Sequence, residues 1–447
     1  MKKLLFLASL LLVAHSYAQN TAERFLDTNL FSGTSIVARM SYDNITMSDY
    51  AVSYTSNPND RGFLYSNQYL NGRYFSISGS NIHINDLCIL DDIVYFCGYS
   101  TLGDAVVGKF KVSEFQQSAF TLQYYIVSFN NYTPVSSFTK IKAYYDDNIQ
   151  MVVLALVAKN QDIQNPSNNN SYLCYLKDEG TSFSGNCFYL DPPKSYHNIE
   201  DVVITKNYIV AVGGNHIEES QGYLYRFKKS DIIPNPTDCD GYIITDPDEH
   251  TFTSIAAMEW LKDDEVAFAC LRNYWGNNNS DMRVYTLDAS AMQFLNTQDV
   301  PLVGKCSPQE LLFMPCDGSL LMLIYDGYYN NINTPASLVY YIKPYSSAYN
   351  ADFIYETHGA IRSIDRFNDN TRFLMGGNDA SAHIKYWMRN KLSGFSSHCI
   401  EYDRIHVKKA NKPNLLYFTP NNDGTHDNLQ SIHVSPNNAA LYPGCTE

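Results

Sequence analysis

An apolar strand, a tight turn built on Asp or Asn, and a second, more strongly apolar strand recur along this chain at a spacing that leaves few architectures open. The clearest copies run from Ile84 to Gly98 around Asp91-Asp92, from Phe138 to Leu156 around Asp146-Asp147, and from Ile199 to Gly214 around Lys206-Asn207. Three more run from Ile255 to Cys270 around Asp263-Asp264, from Leu311 to Tyr325 around Asp317-Gly318, and from Ile361 to Gly377 around Asp369-Asn370. A looser first copy runs from Ile36 to Tyr54, with Asp43-Asn44 near its turn. The first turn residues, at 43, 91, 146, 206, 263, 317 and 369, are separated by 48, 55, 60, 57, 54 and 52 positions, the period of propeller blades. Such a unit is a four-stranded antiparallel sheet, apolar on both faces, which buries itself only by packing on its neighbours around a central channel. The expectation is an all-β propeller of about seven four-stranded antiparallel blades over residues 19–398, with six or eight also compatible. A β-sandwich of this length would need more than one domain and would leave the even spacing unexplained.

Ahead of the repeats, Lys2 and Lys3 precede an apolar run from Leu4 to Val13, and Ser16-Tyr17-Ala18 supplies the small-x-small pattern of a signal-peptidase site. Residues 1–18 therefore read as a cleavable signal peptide, with a mature chain from Gln19 that is periplasmic, secreted or held at the cell surface. The run is about half the length a spanning helix needs, so no integral membrane segment is expected after cleavage. The formal charge of −14 becomes −16 once the two leader lysines are gone. A surface of that sign argues against nucleic acid and anionic lipid as partners.

All ten cysteines lie in the mature part, and an even number in an exported chain points to disulfides before metal or nucleophile chemistry. Proximity pairs Cys88 with Cys97, Cys174 with Cys187, Cys306 with Cys316 and Cys399 with Cys445, leaving Cys239 and Cys270.

In the last repeat, His358-Gly359 precedes the first strand, Asp369-Asn370 makes the turn, Phe373-Leu374-Met375-Gly376-Gly377 the second strand and Ile384-Lys385-Tyr386-Trp387 the third. This blade resembles a tryptophan-aspartate repeat, a resemblance that implies strand order more than function. Residues 399–447 form a tail that packs on or closes the propeller. Within it, Tyr417-Phe418-Thr419-Pro420-Asn421-Asn422-Asp423-Gly424-Thr425-His426-Asp427 is similar to the opening of the gliding-motility-associated C-terminal sorting domain of Bacteroidetes. The resemblance implies a secreted Bacteroidetes protein. The same residues read equally as an Asn-Asp-Gly turn. No cofactor is implied; calcium could be ligated by Asn421, Asp423 and Asp427, although the distal Glu of a standard loop is missing.

Catalytic signatures are scarce: there is no G-x-S-x-G, phosphate-binding Gly-Lys-Ser/Thr loop, H-E-x-x-H or dinucleotide fingerprint. His197, His250 and His358 each fall shortly before the first strand of a blade, where a histidine fixes a loop or, in a ring, serves acid–base or metal chemistry. The connections Lys159 to Ser171, Arg272 to Asp281 and Asp326 to Ser337 are expanded, and all three should join the second and third strands and open on one side of the disc. They carry Tyr274, Trp275, Asn277, Tyr328, Tyr329 and Asn330, aromatics beside amides, which suit sugar or peptide recognition. The reading is an exported non-catalytic binding or scaffold propeller for a glycan or envelope protein. The alternative is a glycan-active hydrolase or lyase working at the channel mouth.

Overall fold

The computed structural model describes the backbone of thirty strands between Thr21 and His433, and side chains in segments between 82 and 364. Residues 1–18, Tyr274, Trp275, Asn277, Tyr328, Tyr329, Asn330, His250, Asn421, Asp423 and Asp427 lie outside the described residues. The side chains of His197, His358, Cys306, Cys316, Cys399 and Cys445 are likewise not described. No helix among the described residues is long and apolar enough to cross a membrane.

Seven four-stranded antiparallel sheets follow one another along the chain. Sheet one holds Ile36–Asp43, Ser48–Thr55, Arg61–Ser66 and Tyr69–Phe75; sheet two holds Ile82–Leu90, Ile93–Ser100, Ala105–Lys111 and Gln123–Ile126. Sheet three holds Ser137–Asp146, Met151–Asn160, Asn170–Asp178 and Phe183–Phe188; sheet four holds His197–Ile204, Tyr208–Asn215, Gly222–Lys228 and Asp240–Ile244. Sheet five holds Thr251–Lys262, Glu265–Asn273, Ser280–Asp288 and Gln293–Val300; sheet six holds Cys306–Met314, Ser319–Asp326, Ala336–Ile342 and Ala351–His358. Sheet seven takes Ala360–Arg366, Phe373–Asn378 and Ile384–Arg389, and its fourth strand is the N-terminal Thr21–Phe25. In the tail, Leu415–Phe418 pairs with Gln430–His433.

The second strand of sheet three shows why the sequence folds this way. Val153, Ala155 and Val157 lie in the apolar cluster shared with sheet four, while Leu154, Leu156 and Ala158 lie in the cluster shared with sheet two. A strand alternates its side chains between two faces, so an unbroken apolar run is stable only where both faces are covered. The same sandwiching joins sheets four and five and sheets five and six. Sheets two to six are thus five described blades stacked face to face, against the seven or so that the turn spacing predicts. Sheets one and seven are described by strand pairing alone, since their side-chain burial is not. The tight turns fall between first and second strands as expected. Asp91 and Asp263 hold φ of 55° and 41° there, a left-handed conformation that Asp tolerates through its short polar side chain.

The cysteine pairing is corrected by register. Cys174 stands directly opposite Cys187, with Cα atoms 4.0 Å apart, and the predicted bond between them is made. Cys88 stands opposite Tyr95 and Cys97 opposite Asp86, so the two are offset by two positions along the ladder. Such diagonal neighbours are about 7–8 Å apart, too far for a disulfide, and the predicted Cys88–Cys97 bond is absent. Cys239 and Cys270 are not joined either: Cys270 is in the cluster between sheets four and five, whereas Cys239 packs on the cluster between sheets three and four. Replacing both Cys174 and Cys187 by serine should lower stability by about 3 kcal/mol, the value for a loop of this size. Denaturant unfolding of oxidised protein checks it, and a loss below about 1 kcal/mol would count against a stabilising bond.

Candidate functional site

First strands run from the upper side of the disc to the lower, so second-to-third connections open above and first-to-second turns below. The three expanded connections are residues 161–169, 274–279 and 327–335, each joining the second and third strands of sheets three, five and six. The strand ends that flank them lie on the upper side in each case, and the connections themselves lie outside the described residues. The histidines fare differently. In sheets four to seven, a β-bulge breaks the first strand's register just after Ile199, Ile255, Pro308 and Ile361, a common ruler for the blades. His197 lies two residues before Ile199, His250 five before Ile255 and His358 three before Ile361. His250 lies outside the described residues; of the other two, His197 opens the first strand of sheet four and His358 closes the fourth strand of sheet six.

What the bulge does hold is a series of acids. Sheet two reads Ile84-Asn85-Asp86, sheet four Ile199-Glu200-Asp201 and sheet six Pro308-Gln309-Glu310, with the bulge before the acid each time. All three acids are buried. One oxygen of Asp86 accepts the N–H of Leu87 at 2.8 Å, and the other accepts the N–H of Ile141, in sheet three, at 3.1 Å. Asp201 repeats this with Val202 at 2.9 Å and with Met258, in sheet five, at 2.9 Å. Glu310 accepts the N–H of Ile364, in sheet seven, at 3.0 Å. Asn85 adds a bond from its Nδ2 to the Phe138 carbonyl at 2.7 Å, so sheet two grips both sides of the next bulge.

A buried backbone N–H left without an acceptor is costly, and the bulge leaves such donors. A carboxylate from the preceding blade supplies the acceptor, in bonds stronger than neutral ones. Between sheets three and four the contact reverses in sign: Lys140 lies 3.9 Å from Asp201, and Lys159 lies 3.8 Å from Glu200. The acids of Asp86 and Asp201 have both oxygens engaged by backbone donors, an arrangement that suits bracing. Among the described residues, no group of three or more His, Cys, Asp or Glu is placed to hold a metal.

The lower rim is a second polar system. Asp264 accepts bonds from Thr205 Oγ1 at 2.7 Å, the Asn207 N–H at 2.8 Å and Asn207 Nδ2 at 2.7 Å, tying the turn of sheet four to that of sheet five. Lys206 pairs with Asp263 at 3.1 Å across the same gap. Lys229 sits 4.5 Å over the Tyr144 ring and donates to the Thr205 carbonyl. Burial holds its ammonium below the ordinary lysine range, with Asp146, Asp264 and Asp147 pulling the other way. Burial likewise pushes the Tyr144 phenol up, and the charge of Asp146 adds to it. Arg226 donates to the carbonyls of Ala289 and Ser290 in sheet five and stacks on Tyr208 and Tyr242. These contacts lock the turns in place around the lower channel mouth.

None of the bulge acids was a candidate from motifs. Their signal was present, an acid two residues after an apolar residue inside an otherwise apolar first strand. Alone it reads as ordinary alternation, because the bulge that turns it into the core cannot be seen in sequence.

No protein-family model matches the chain, and no curated protein does. Among solved structures it is similar to the Dos1 propeller, with a TM-score of 0.45 at 11% identity over 80% of this chain and 93% of that one. It is also similar to the polysaccharide lyase Uly1, with a TM-score of 0.45 at 10% identity over 80% and 89% of the two chains. The α-L-arabinanase of Penicillium chrysogenum, complexed with arabinobiose, gives 0.43 at 8% identity over 84% and 100%. Identities this low concern architecture alone.

Proposed function

We propose that this chain is an exported recognition propeller of a Bacteroidetes-like bacterium, periplasmic or at the cell surface, that binds a glycan or an envelope protein without transforming it. The observation that carries the reading is the commitment of the buried bulge acids to the interfaces between blades. Asp86 and Asp201 each spend both oxygens on backbone N–H groups of two blades. A rigid ring with long loops gathered on one side is the usual arrangement of a binding scaffold.

We read the ring as seven-bladed. Sheet one packs beside both sheet two and sheet seven, and the N-terminal strand completes sheet seven by pairing Thr21–Phe25 with Ile384–Arg389. Closing a ring with strands from both chain ends hides sheet edges and ties the termini together. The upper-side residues Tyr274, Trp275, Asn277, Tyr328, Tyr329 and Asn330 are the proposed contacts.

The test is a glycan array probed with the mature chain, whose N-terminus in host material should be at or near Gln19, scored for retention and for cleavage. Retention of a glycan without new reducing ends is expected. Cleavage of any retained glycan would replace this reading with the hydrolase or lyase one.

A further inference from the structure

The ladder register brings one position of every described blade to the same level of the lower channel mouth. Ile89 faces Val94, Tyr145 faces Val152, Ile204 faces Ile209, Trp260 faces Val266 and Phe313 faces Leu320. Each partner is the second residue of its blade's second strand, so the five are equivalent and follow one another round the ring. Val152, Ile209, Val266 and Leu320 belong to the clusters shared with the preceding blade, so their partners lean back the same way. The result is an apolar collar at the end of the first strands, where a charged turn begins.

Two members of the collar stand out. Tyr145 and Trp260 are 48% and 44% exposed, while Ile89, Ile204 and Phe313 are half-buried. Both aromatic rings are fixed at their polar ends: the Tyr145 hydroxyl donates to Gln150 Oε1 at 3.1 Å, and Trp260 Nε1 donates to the Asp263 carbonyl at 3.0 Å. A ring held at its edge keeps its orientation without losing further side-chain entropy on binding. Neighbouring blades about 10 Å apart place sheets three and five about 20 Å apart, with Lys206 and Asn207 exposed on the blade between. Exposed amides and carboxylates, Asn148, Gln150, Asn207, Asp91, Asp147 and Asp263, surround the collar. Of the exposed lysines at this end, Lys206 and Lys262 are paired with Asp263 and Glu265, while Lys111 and Lys228 stand at the ends of third strands.

We infer that the lower collar is a binding site for a neutral, flat-faced oligosaccharide lying across blades three to five, with Tyr145 and Trp260 as stacking platforms. Sugar rings present apolar faces to the aromatics and hydroxyl donors to the surrounding carboxylate and amide oxygens. The formal net charge of −14 disfavours an anionic chain. The site lies on the side of the disc opposite the one proposed above and does not depend on it.

Isothermal titration of the mature chain with cellohexaose tests this, beside hexagalacturonate as the anionic comparator. Cellohexaose should bind, and Trp260→Ala and Tyr145→Ala should each weaken it about tenfold. Trp260→Phe, which keeps a ring, should stay within about threefold of the parent, and its retention would show that the alanine loss is not misfolding. Leu102→Ala, at an exposed position in the second-to-third connection of sheet two on the opposite side, should leave cellohexaose binding unchanged. No binding of cellohexaose, or binding untouched by both lower-rim alanines, overturns the collar site, and so does hexagalacturonate binding as tightly. Loss with Leu102→Ala alone would overturn it while favouring the upper-side reading.

Discussion

Asp201→Ala is expected to lower the stability of the propeller by about 3 kcal/mol, because it strips the acceptor from two buried N–H groups and the partner from Lys140. The Val202 and Met258 amides sit in adjoining blades, and water cannot replace a carboxylate that is 3% exposed. Asp201→Asn should cost about half as much, since one amide oxygen still accepts while the NH2 group meets a donor. As a control, Asp147→Ala removes an exposed acid and should stay within about 0.5 kcal/mol of the parent. The measurement is the shift of the guanidinium unfolding midpoint at neutral pH. If Asp201→Ala cost no more than Asp147→Ala, the inter-blade bond would not be bracing the ring, and the argument against a catalytic role for these acids would lapse.

An effect at least as large is expected at Gly98, from geometry alone. A Cβ on Gly98 would lie 1.7 Å from the His83 carbonyl oxygen, a backbone atom that cannot swing aside. The bulge in the first strand presses that carbonyl onto the second strand, where Gly98 stands opposite Ile84. Glycine occupies the same ladder position opposite Ile199, as Gly213, and opposite Ile361, as Gly377. Gly98→Ala therefore has to push two strands apart and should cost about 3 kcal/mol or more. Gly103→Ala is the contrast: its φ of +87° disfavours alanine, but nothing lies within 4 Å of the new atom. Backbone strain alone should cost it about 1–2 kcal/mol. Thermal unfolding of the two variants side by side decides the matter. Equal losses would mean that the bulge relaxes and that the clash is not what reserves Gly98.

Blade architecture was legible because its cause is local. Val153 to Ala158 must be covered on both faces, Asp91 and Asp263 must turn the chain, and the two requirements recur at a blade's spacing. The pair Cys174 and Cys187 was legible for the same reason, since a short hairpin sets nearby cysteines opposite one another. Cys88 and Cys97 are as close in sequence, yet the two-residue turn Asp91-Asp92 fixes a register in which Cys88 meets Tyr95 and Cys97 meets Asp86, two positions out. Separation along the chain says how near two residues can come, and register decides whether they meet.

The sequence by itself determined the all-β composition, the repeat and the turn positions, because each follows from strand periodicity and chain direction. Tertiary structure alone decided that Asp86, Asp201 and Glu310 are braces and that His197 and His358 fall on different strands of their sheets. It also brought Tyr145 and Trp260 to one collar. Those facts depend on where a bulge shifts the ladder and on which neighbouring blade offers an unpaired N–H, contacts made across more than fifty residues of chain. A hydrogen bond or clash at that separation is set by how blades stack, and stacking is the property of the ring rather than of any one repeat.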